Sequence, residues 1–384
     1  MIDIYKDQQN ILFVCPSEYW GTGERIAIRD MITAKEVGHN VFLYCLRDSS
    51  LHNKAKQLGI DCFFHTGKKN LKLRHWFQLS EIRKIIRNFD ISIVHCYGLN
   101  FFWPISYFLR KKKKVSLILS LNSDIKKFYL DFYYRPLISR LDLVLLPLRE
   151  MFESLHGHLD IPLMKMEFMG LGLQCSSQKM APRRVDVWEF GTFVGGHVDD
   201  PEHVLPVLRT LSSLISHEET DRNFKLYLLS DKEWDKFVIY PELAKYIKEH
   251  AIEEFVSFEK VSDVESFQRK LHLWISLNNH EAIEDYTICA LLNKVPIITP
   301  RNPFSMEILR QFGNVGRTYK ASDSRELKNR CLEVTRDEDM MLQNLTHVSD
   351  QVERTFGVVS YKNQLLKLYE RALNKRARLY GPRS

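Results

Sequence analysis

No run of apolar residues in the 384-residue chain approaches the ~20 needed to cross a bilayer. The opening MIDIYKDQQN lacks the apolar core of a secretory signal. Seven cysteines (positions 15, 45, 62, 96, 175, 289 and 331) are scattered, with no C-x-x-C pair. An odd, dispersed set argues against a disulfide framework and fits free, mostly buried thiols in a reducing compartment. These absences together predict a cytoplasmic protein. There is no short-period repeat and no low-complexity tract. No recognised nucleic-acid motif accompanies the basic residues, so nucleic acid is not the expected partner.

What is present is an ordinary globular composition, 45% hydrophobic and 27% charged. At about 150 residues per domain, the length allows two or three domains. The net charge of +7 is uneven: residues 1–180 carry 26 Lys and Arg against 17 Asp and Glu, while the remainder is slightly acidic. Such asymmetry predicts an anionic partner for the N-terminal half, either a membrane surface or a phosphorylated substrate. The densest basic points are KKNLKLRHW (68–76) and RKKKK (110–114), both beside aromatics: Trp76 for the first, Phe101, Phe102 and Trp103 for the second. Lys111, Lys112, Lys113 and Lys114 are thus candidates for a membrane or acceptor contact. The competing reading is a solvated helix end, favoured by the helix dipole.

Short apolar runs at 11–15, 41–46, 61–65, 91–96, 115–121 and 143–148 alternate with helical patterns such as 24–38 and 79–89. Runs of this length separated by amphipathic helices predict a parallel sheet covered on both faces. The segment QCSSQKMAPRR (174–184) is polar and aperiodic and reads as a linker. Alternation then restarts, with strands expected at 187–194, 224–230, 255–260, 273–278 and 296–300, and a long helical tail from about 324 to 378. The expected class is α/β, with two doubly wound, Rossmann-like domains sharing a ligand cleft at the carboxyl ends of their strands. Boundaries are expected at 1–175, 176–355 and 356–384, with the last segment returning to the first domain.

Several pieces, in order, resemble the retaining family 4 glycosyltransferases of the GT-B fold (glycosyl transferases group 1). GTGERIAIRDMITAKEVGHNVFLYCL resembles that family's first loop, helix and second strand. DISIVHCYG (90–98) is similar to its D-I-V-H-x-H-G segment, and FMGLGL (168–173) to the element that closes its first domain. SLNNHEAIEDYTICALLNKVPIITP (276–300) resembles its S-x-x-E-G-F-G…E-A-M-A-x-G-V-P-V-I segment. The resemblance implies a nucleotide-sugar donor, no metal and no other cofactor. It further implies donor-sugar binding by Glu281 and a catalytic-site place for His95.

The residues support part of this on their own. GTGE opens a helix after the first strand, where backbone N–H groups can approach a diphosphate, which makes Gly21, Thr22 and Gly23 donor-binding candidates. The alternative is a tight turn with Glu24 in the first helical turn. The 281–287 loop precedes another helix N-terminus, adding Ala282, Ile283, Glu284 and Thr287, and a carboxylate there can accept hydrogen bonds from sugar hydroxyls.

The departures from the family pattern are specific. Its second glutamate falls on Cys289, its G-F-G on Ala282, Ile283 and Glu284, and its phosphate-binding arginine and lysine on Gly196 and Pro201. One histidine becomes Asn122, and the second histidine of the D-I-V-H-x-H-G motif becomes Tyr97. His197, Lys232, Arg301, Arg183 and Arg184 are alternative cations, and no spacing argument selects among them.

Two readings follow. One is a transferase moving a sugar to a lipid-linked or polysaccharide acceptor in cell-surface glycan synthesis, peripheral to the inner face of the membrane. The other is a non-catalytic GT-B protein that scaffolds a partner glycosyltransferase. A nucleotide-sugar epimerase on the same fold would need its own acid/base set, which the sequence does not place.

Overall fold

The structure is a computed structural model that describes residues 8–18, 20–65, 79–122, 136–174, 186–195, 200–216, 223–236, 238–277 and 283–380. The chain divides into two compact units. The first is Met1–Gly172 together with Val359–Ser384, and the second is Leu173–Val358.

Among the described residues of the first unit, strands β1 (Asn10–Val14), β2 (Asn40–Leu46), β3 (Asp61–His65), β4 (Ile93–Tyr97), β5 (Ser116–Ser120), β6 (Leu143–Leu146) and β7 (Met166–Phe168) form one parallel sheet. Their order is β3-β2-β1-β4-β5-β6-β7. The central strands are apolar on both faces because helices cover both. β5 and β6 are buried at every position, and β1 at all but its first residue. Helices α1 (Thr22–Glu36), α2 (Ser50–Gln57), α3 (Leu79–Asn88), α4 (Leu99–Leu109) and α5 (Glu150–Leu159) make the crossovers. The strand order reverses between β1 and β4, which opens a crevice at their carboxyl ends.

The C-terminal helix Val358–Tyr380 belongs almost wholly to this unit. Its apolar stripe, Tyr361, Leu365, Leu368, Tyr369 and Ala372, is buried in one cluster with Phe13, Met31 and Leu43. The i, i+4, i+7, i+8, i+11 spacing of these residues is what turns one helix face to a core. At Gly172 the backbone takes φ +62°, and a Cβ there would stand 2.7 Å from the Tyr361 ring, so only glycine fits.

The second unit repeats the plan with β8 (Val187–Phe193), β9 (Asn223–Ser230), β10 (Val256–Lys260), β11 (Leu273–Ile275), β12 (Ile297–Pro300) and β13 (Gly316–Tyr319). The order is β10-β9-β8-β11-β12-β13, all parallel, with the reversal between β8 and β11. Its helices are α6 (Pro201–Ile215), α7 (Tyr240–Glu249), α8 (Val264–Gln268), α9 (Asp285–Leu292), α10 (Pro303–Phe312), α11 (Ser324–Arg336) and α12 (Glu338–Phe356).

The expected single tail is three helices. Asp337 ends α11 and starts α12, held by Arg317 at 2.9 Å. At Gly357 a bound segment interrupts the ladder: Leu173 N–H donates to the Phe356 carbonyl (2.8 Å), and the Leu173 carbonyl accepts from Val358 N–H (2.9 Å). The linker expected at 174–184 lies outside the described residues except for its first position.

Candidate functional site

His95 lies on β4 beside the topological reversal of the first unit and has no exposed surface. Both ring nitrogens are engaged, Nδ1 with the Tyr369 hydroxyl at 2.9 Å and Nε2 with the Ser120 hydroxyl at 2.8 Å. Tyr97 stacks on the ring at 4.6 Å, and Phe13 flanks it at 5.7 Å. Burial pushes the imidazole pKa down to about 3, so the ring is neutral, with one donor and one acceptor for two hydroxyl partners.

Asp30 of α1 sits behind the ring, its carboxylate 3.8 Å from Nδ1. Both Tyr97 and Tyr361 donate their hydroxyls to it. Burial raises the carboxyl pKa to about 7, against the lowering effect of those two hydrogen bonds and of Arg29. The cluster therefore ties α1, β4, β5 and the C-terminal helix together through polar groups. Among the described residues the His95 ring is closed on both faces and at both nitrogens by protein groups.

The GTGE turn is also closed by its own residues. Gly21 N–H donates to the Glu24 carboxylate at 2.7 Å, so the first orphan donor of α1 is taken by an acidic group that repels phosphate. Thr22 accepts from Arg25 at 3.4 Å. Gly23 is buried, and a Cβ there would overlap the Asn122 amide. Glycine is required at this point for helix-to-loop packing. The turn expected to bind an anion at Gly21, Thr22 and Gly23 is a self-capped helix start in this structure. Beside it lies a pocket of about 20 Å³, lined by Gly23, Tyr97, Ser120, Asn122, Met169 and Tyr361 among others. That volume holds a water molecule but not a sugar ring.

In the second unit Glu281 and Ala282 lie outside the described residues, as do Gly196, His197, Arg183 and Arg184. Ile283 is buried, and Glu284 is the N-cap of α9. Thr287, fully buried, donates its hydroxyl to the Glu284 carboxylate at 2.8 Å. Asp285, also buried, adds a second acid to the first turn. Two carboxylates thus lie at the positive end of this helix, where negative charge is favoured, although the N-cap Glu284 makes no side-chain hydrogen bond to its N–H groups. Cys289 is buried with its thiol 3.4 Å from Glu265, so it does not stand in for a ribose-binding glutamate. Of the alternative cations, Arg301 is paired with Glu326 at 3.1 Å and Lys232 is exposed.

Aromatic residues at the β8–β11 reversal are the group that the sequence reading missed. Phe193, the last residue of β8, packs against Tyr286 of α9 at 4.7 Å, and Trp274 of β11 lies 6.5 Å from the same ring. Tyr319, at the end of β13, donates to the Ser276 carbonyl at 3.2 Å, and burial beside Glu284 raises its pKa. A half-buried tyrosine over a phenylalanine at strand carboxyl ends offers a face for a planar base. An aromatic residue ending a strand was visible in VWEFGTF, but its pairing with Tyr286 was not.

The aromatics expected beside RKKKK are corrected as well. Phe101 and Phe102 are 4% and 1% exposed and belong to the interior, while Lys111–Lys114 are all exposed. The KKNLKLRHW cluster lies outside the described residues. Among the described residues no group of three metal-binding side chains exists, and no helix is long and apolar enough to cross a membrane.

Comparison with known proteins agrees with this architecture. Residues 33–173 match the family model described as Glycosyltransferase Family 4. No curated protein matches the sequence. A glycosyltransferase structure from Rickettsia africae ESF-5 is similar with a TM-score of 0.75 and 15% identity, over 96% of this chain and 99% of that one. HepE of Anabaena, solved with UDP and glucose, gives a TM-score of 0.72 at 14% identity, over 94% and 100%. Sucrose-phosphate synthase from Thermosynechococcus elongatus gives 0.70 at 11% identity, over 96% and 100%. The chain has the GT-B fold, and residues 33–173 of its N-terminal unit are similar to the Glycosyltransferase Family 4 model.

Proposed function

We propose that this protein transfers a sugar from a nucleotide-sugar donor to a hydroxyl group of a glycan or lipid-linked acceptor, with retention at the anomeric carbon. The observation that carries the reading is the family match over the first unit joined to a second unit with the GT-B plan. The Phe193–Tyr286 pair at the second unit's reversal supports nucleotide binding there, and HepE of Anabaena is a similar structure that was solved with UDP and glucose.

In this reading Glu281 accepts hydrogen bonds from donor-sugar hydroxyls. The donor's own phosphate takes the acceptor proton as the hydroxyl attacks on the face the leaving group vacates. The C–O bond to the donor phosphate breaks as the new glycosidic bond forms, and a nucleoside diphosphate leaves. The protein supplies position and exclusion of water rather than a nucleophile. The setting that fits a lipid-linked or polysaccharide acceptor is cell-surface glycan synthesis at the inner face of the membrane.

A scaffold for a partner glycosyltransferase is the second reading. Glu284 and Asp285 at the start of α9 and the buried Cys289 favour it, because each opposes a bound diphosphate or removes a donor contact.

Thermal shift against uridine, guanosine, adenosine, cytidine and thymidine diphosphate sugars separates the two. A true donor at 100 times its Kd stabilises the protein by about 2.7 kcal/mol. Glu281→Ala is expected to remove transfer, read as nucleotide release, while leaving thermal stability unchanged. No shift with any donor overturns the transferase reading, whereas full transfer by Glu281→Ala overturns only the role given to Glu281.

A further inference from the structure

The connections that enter β5, β6 and β7 lie side by side at the amino-terminal edge of the first sheet, the edge opposite the β1–β4 crevice. They present an unusual combination. Lys111–Lys114, entering β5, are exposed. Leu163 and Met164, entering β7, are 55% and 77% exposed, the latter among the most exposed large apolar side chains described. Leu379, at the end of the C-terminal helix, is 59% exposed. The helix reaches this edge through Arg371, which donates to the Met164 carbonyl at 3.1 Å.

Beneath these side chains runs a rigid cationic strip. Arg140 is 6% exposed and donates to the carbonyls of Leu109 (2.8 Å), Lys112 (3.2 Å) and Val115, which fixes the lysine-bearing turn in place. Asp142, 1% exposed, is the acid at the centre, with Arg140 at 3.1 Å and Arg376 at 2.6 Å. Lys165 reaches the Ser139 carbonyl at 3.0 Å. Burial first, and then the nearby Lys375, Arg376 and Arg140, push its pKa down to about 8, with Asp142 opposing. Four cations thus surround one acid that both arginines already occupy. Glu167 is held by Arg371, and Asp160 is the other acid among the described residues of the segments that lead directly into β5, β6 and β7.

We propose that this edge is an interfacial docking surface for an anionic membrane leaflet, with Leu163 and Met164 entering the headgroup region and Lys111–Lys114, Lys165 and Lys375 facing the lipid phosphates. Exposed apolar side chains rimmed by an excess of cations match a surface that is apolar within and negative at its boundary. The charge is not a helix end that happens to be solvated, because buried Arg140 braces the turn that carries it. Docking by this edge holds the crevice of the first unit about 15 Å, one strand length, from the lipid. The inference does not depend on transferase activity, and its readout is physical binding.

Flotation with vesicles rich in phosphatidylglycerol, and with vesicles of pure phosphatidylcholine, tests it. Binding is expected to the first and not the second, and to weaken as salt shortens the electrostatic reach to about 10 Å at 0.1 M. Lys112→Ala and Lys113→Ala are each expected to lower partitioning about fivefold. The pair Leu163→Ser with Met164→Ser is expected to lower it more than about tenfold. All four positions are exposed, so circular dichroism and thermal unfolding should match wild type and show that the variants fold. Absence of binding at low salt, equal binding to neutral vesicles, or unchanged partitioning in the folded variants overturns the proposal. Binding of RNA through the same lysines without vesicle binding reassigns the strip to nucleic acid.

Discussion

Asp30→Asn should raise the stability of this protein as pH rises, which is the reverse of what removing an ordinary carboxylate does. The folded carboxyl has a pKa of about 7 against 3.8 when exposed, because burial outweighs the hydroxyls of Tyr97 and Tyr361. Between those two values the folded state binds more protons than the unfolded one, so the native contribution is complete below pH 3.8 and falls until pH 7. A shift of roughly 3 units corresponds to about 4 kcal/mol at 1.36 kcal/mol per unit. His95 works the other way. Its folded pKa of about 3 lies below 6.5, so its contribution is present above pH 6.5 and is lost as pH falls toward 3. In the wild type the two slopes nearly cancel from about pH 4 to 6.5.

Asparagine keeps the size of the side chain and removes the titration. Near pH 4 the variant and wild type should differ little, since the native carboxyl is then neutral. At pH 8 the variant should be more stable by up to about 4 kcal/mol. For a unit of this size that is about 8–16 °C in Tm. The check is Tm of both proteins at half-unit steps from pH 4.5 to 8. A Tm difference that stays constant over the range, or that turns against the variant as pH rises, would mean that Asp30 is ionised throughout and would refute the reasoning.

Two further outcomes follow from packing. Gly23→Ala should cost about 1–3 kcal/mol, since the added methyl overlaps the Asn122 amide, and pairing it with Asn122→Ala should recover most of the loss in a double-mutant cycle. Arg376→Met should cost about 3–5 kcal/mol in urea unfolding, because it strips one partner from the buried Asp142 carboxylate. Neutral stability in that variant would show that Arg140 and the Leu117 N–H are enough to satisfy the acid.

The sheets were legible because their signal is local. Apolar runs such as ILFVC and VSLILSL, set between amphipathic helices, specify strands covered on both faces, and β1 and β5 are buried as that pattern requires. Restart of the alternation after residue 184 marked a second α/β unit for the same reason. β7 went unrecognised because three residues, Met166–Phe168, carry no period to read. The break at Asp337 was missed because it depends on Arg317, a partner distant in the chain.

The candidate site was legible as a set of positions and not as chemistry. Sequence by itself determined that His95 lies within a buried strand and that a basic run follows α4. Tertiary structure decided what each faces. His95 meets Tyr369, 274 residues away, and Asp30 meets Tyr361, 331 residues away. Those contacts make His95 the neutral centre of a buried network. Likewise, the lysines share one sheet edge with Leu163 and Met164 because β5, β6 and β7 follow one another in the sheet, while the adjacent phenylalanines are buried. Periodicity reports which side of an element is buried. What it is buried against is set by the packing of elements far apart in the chain.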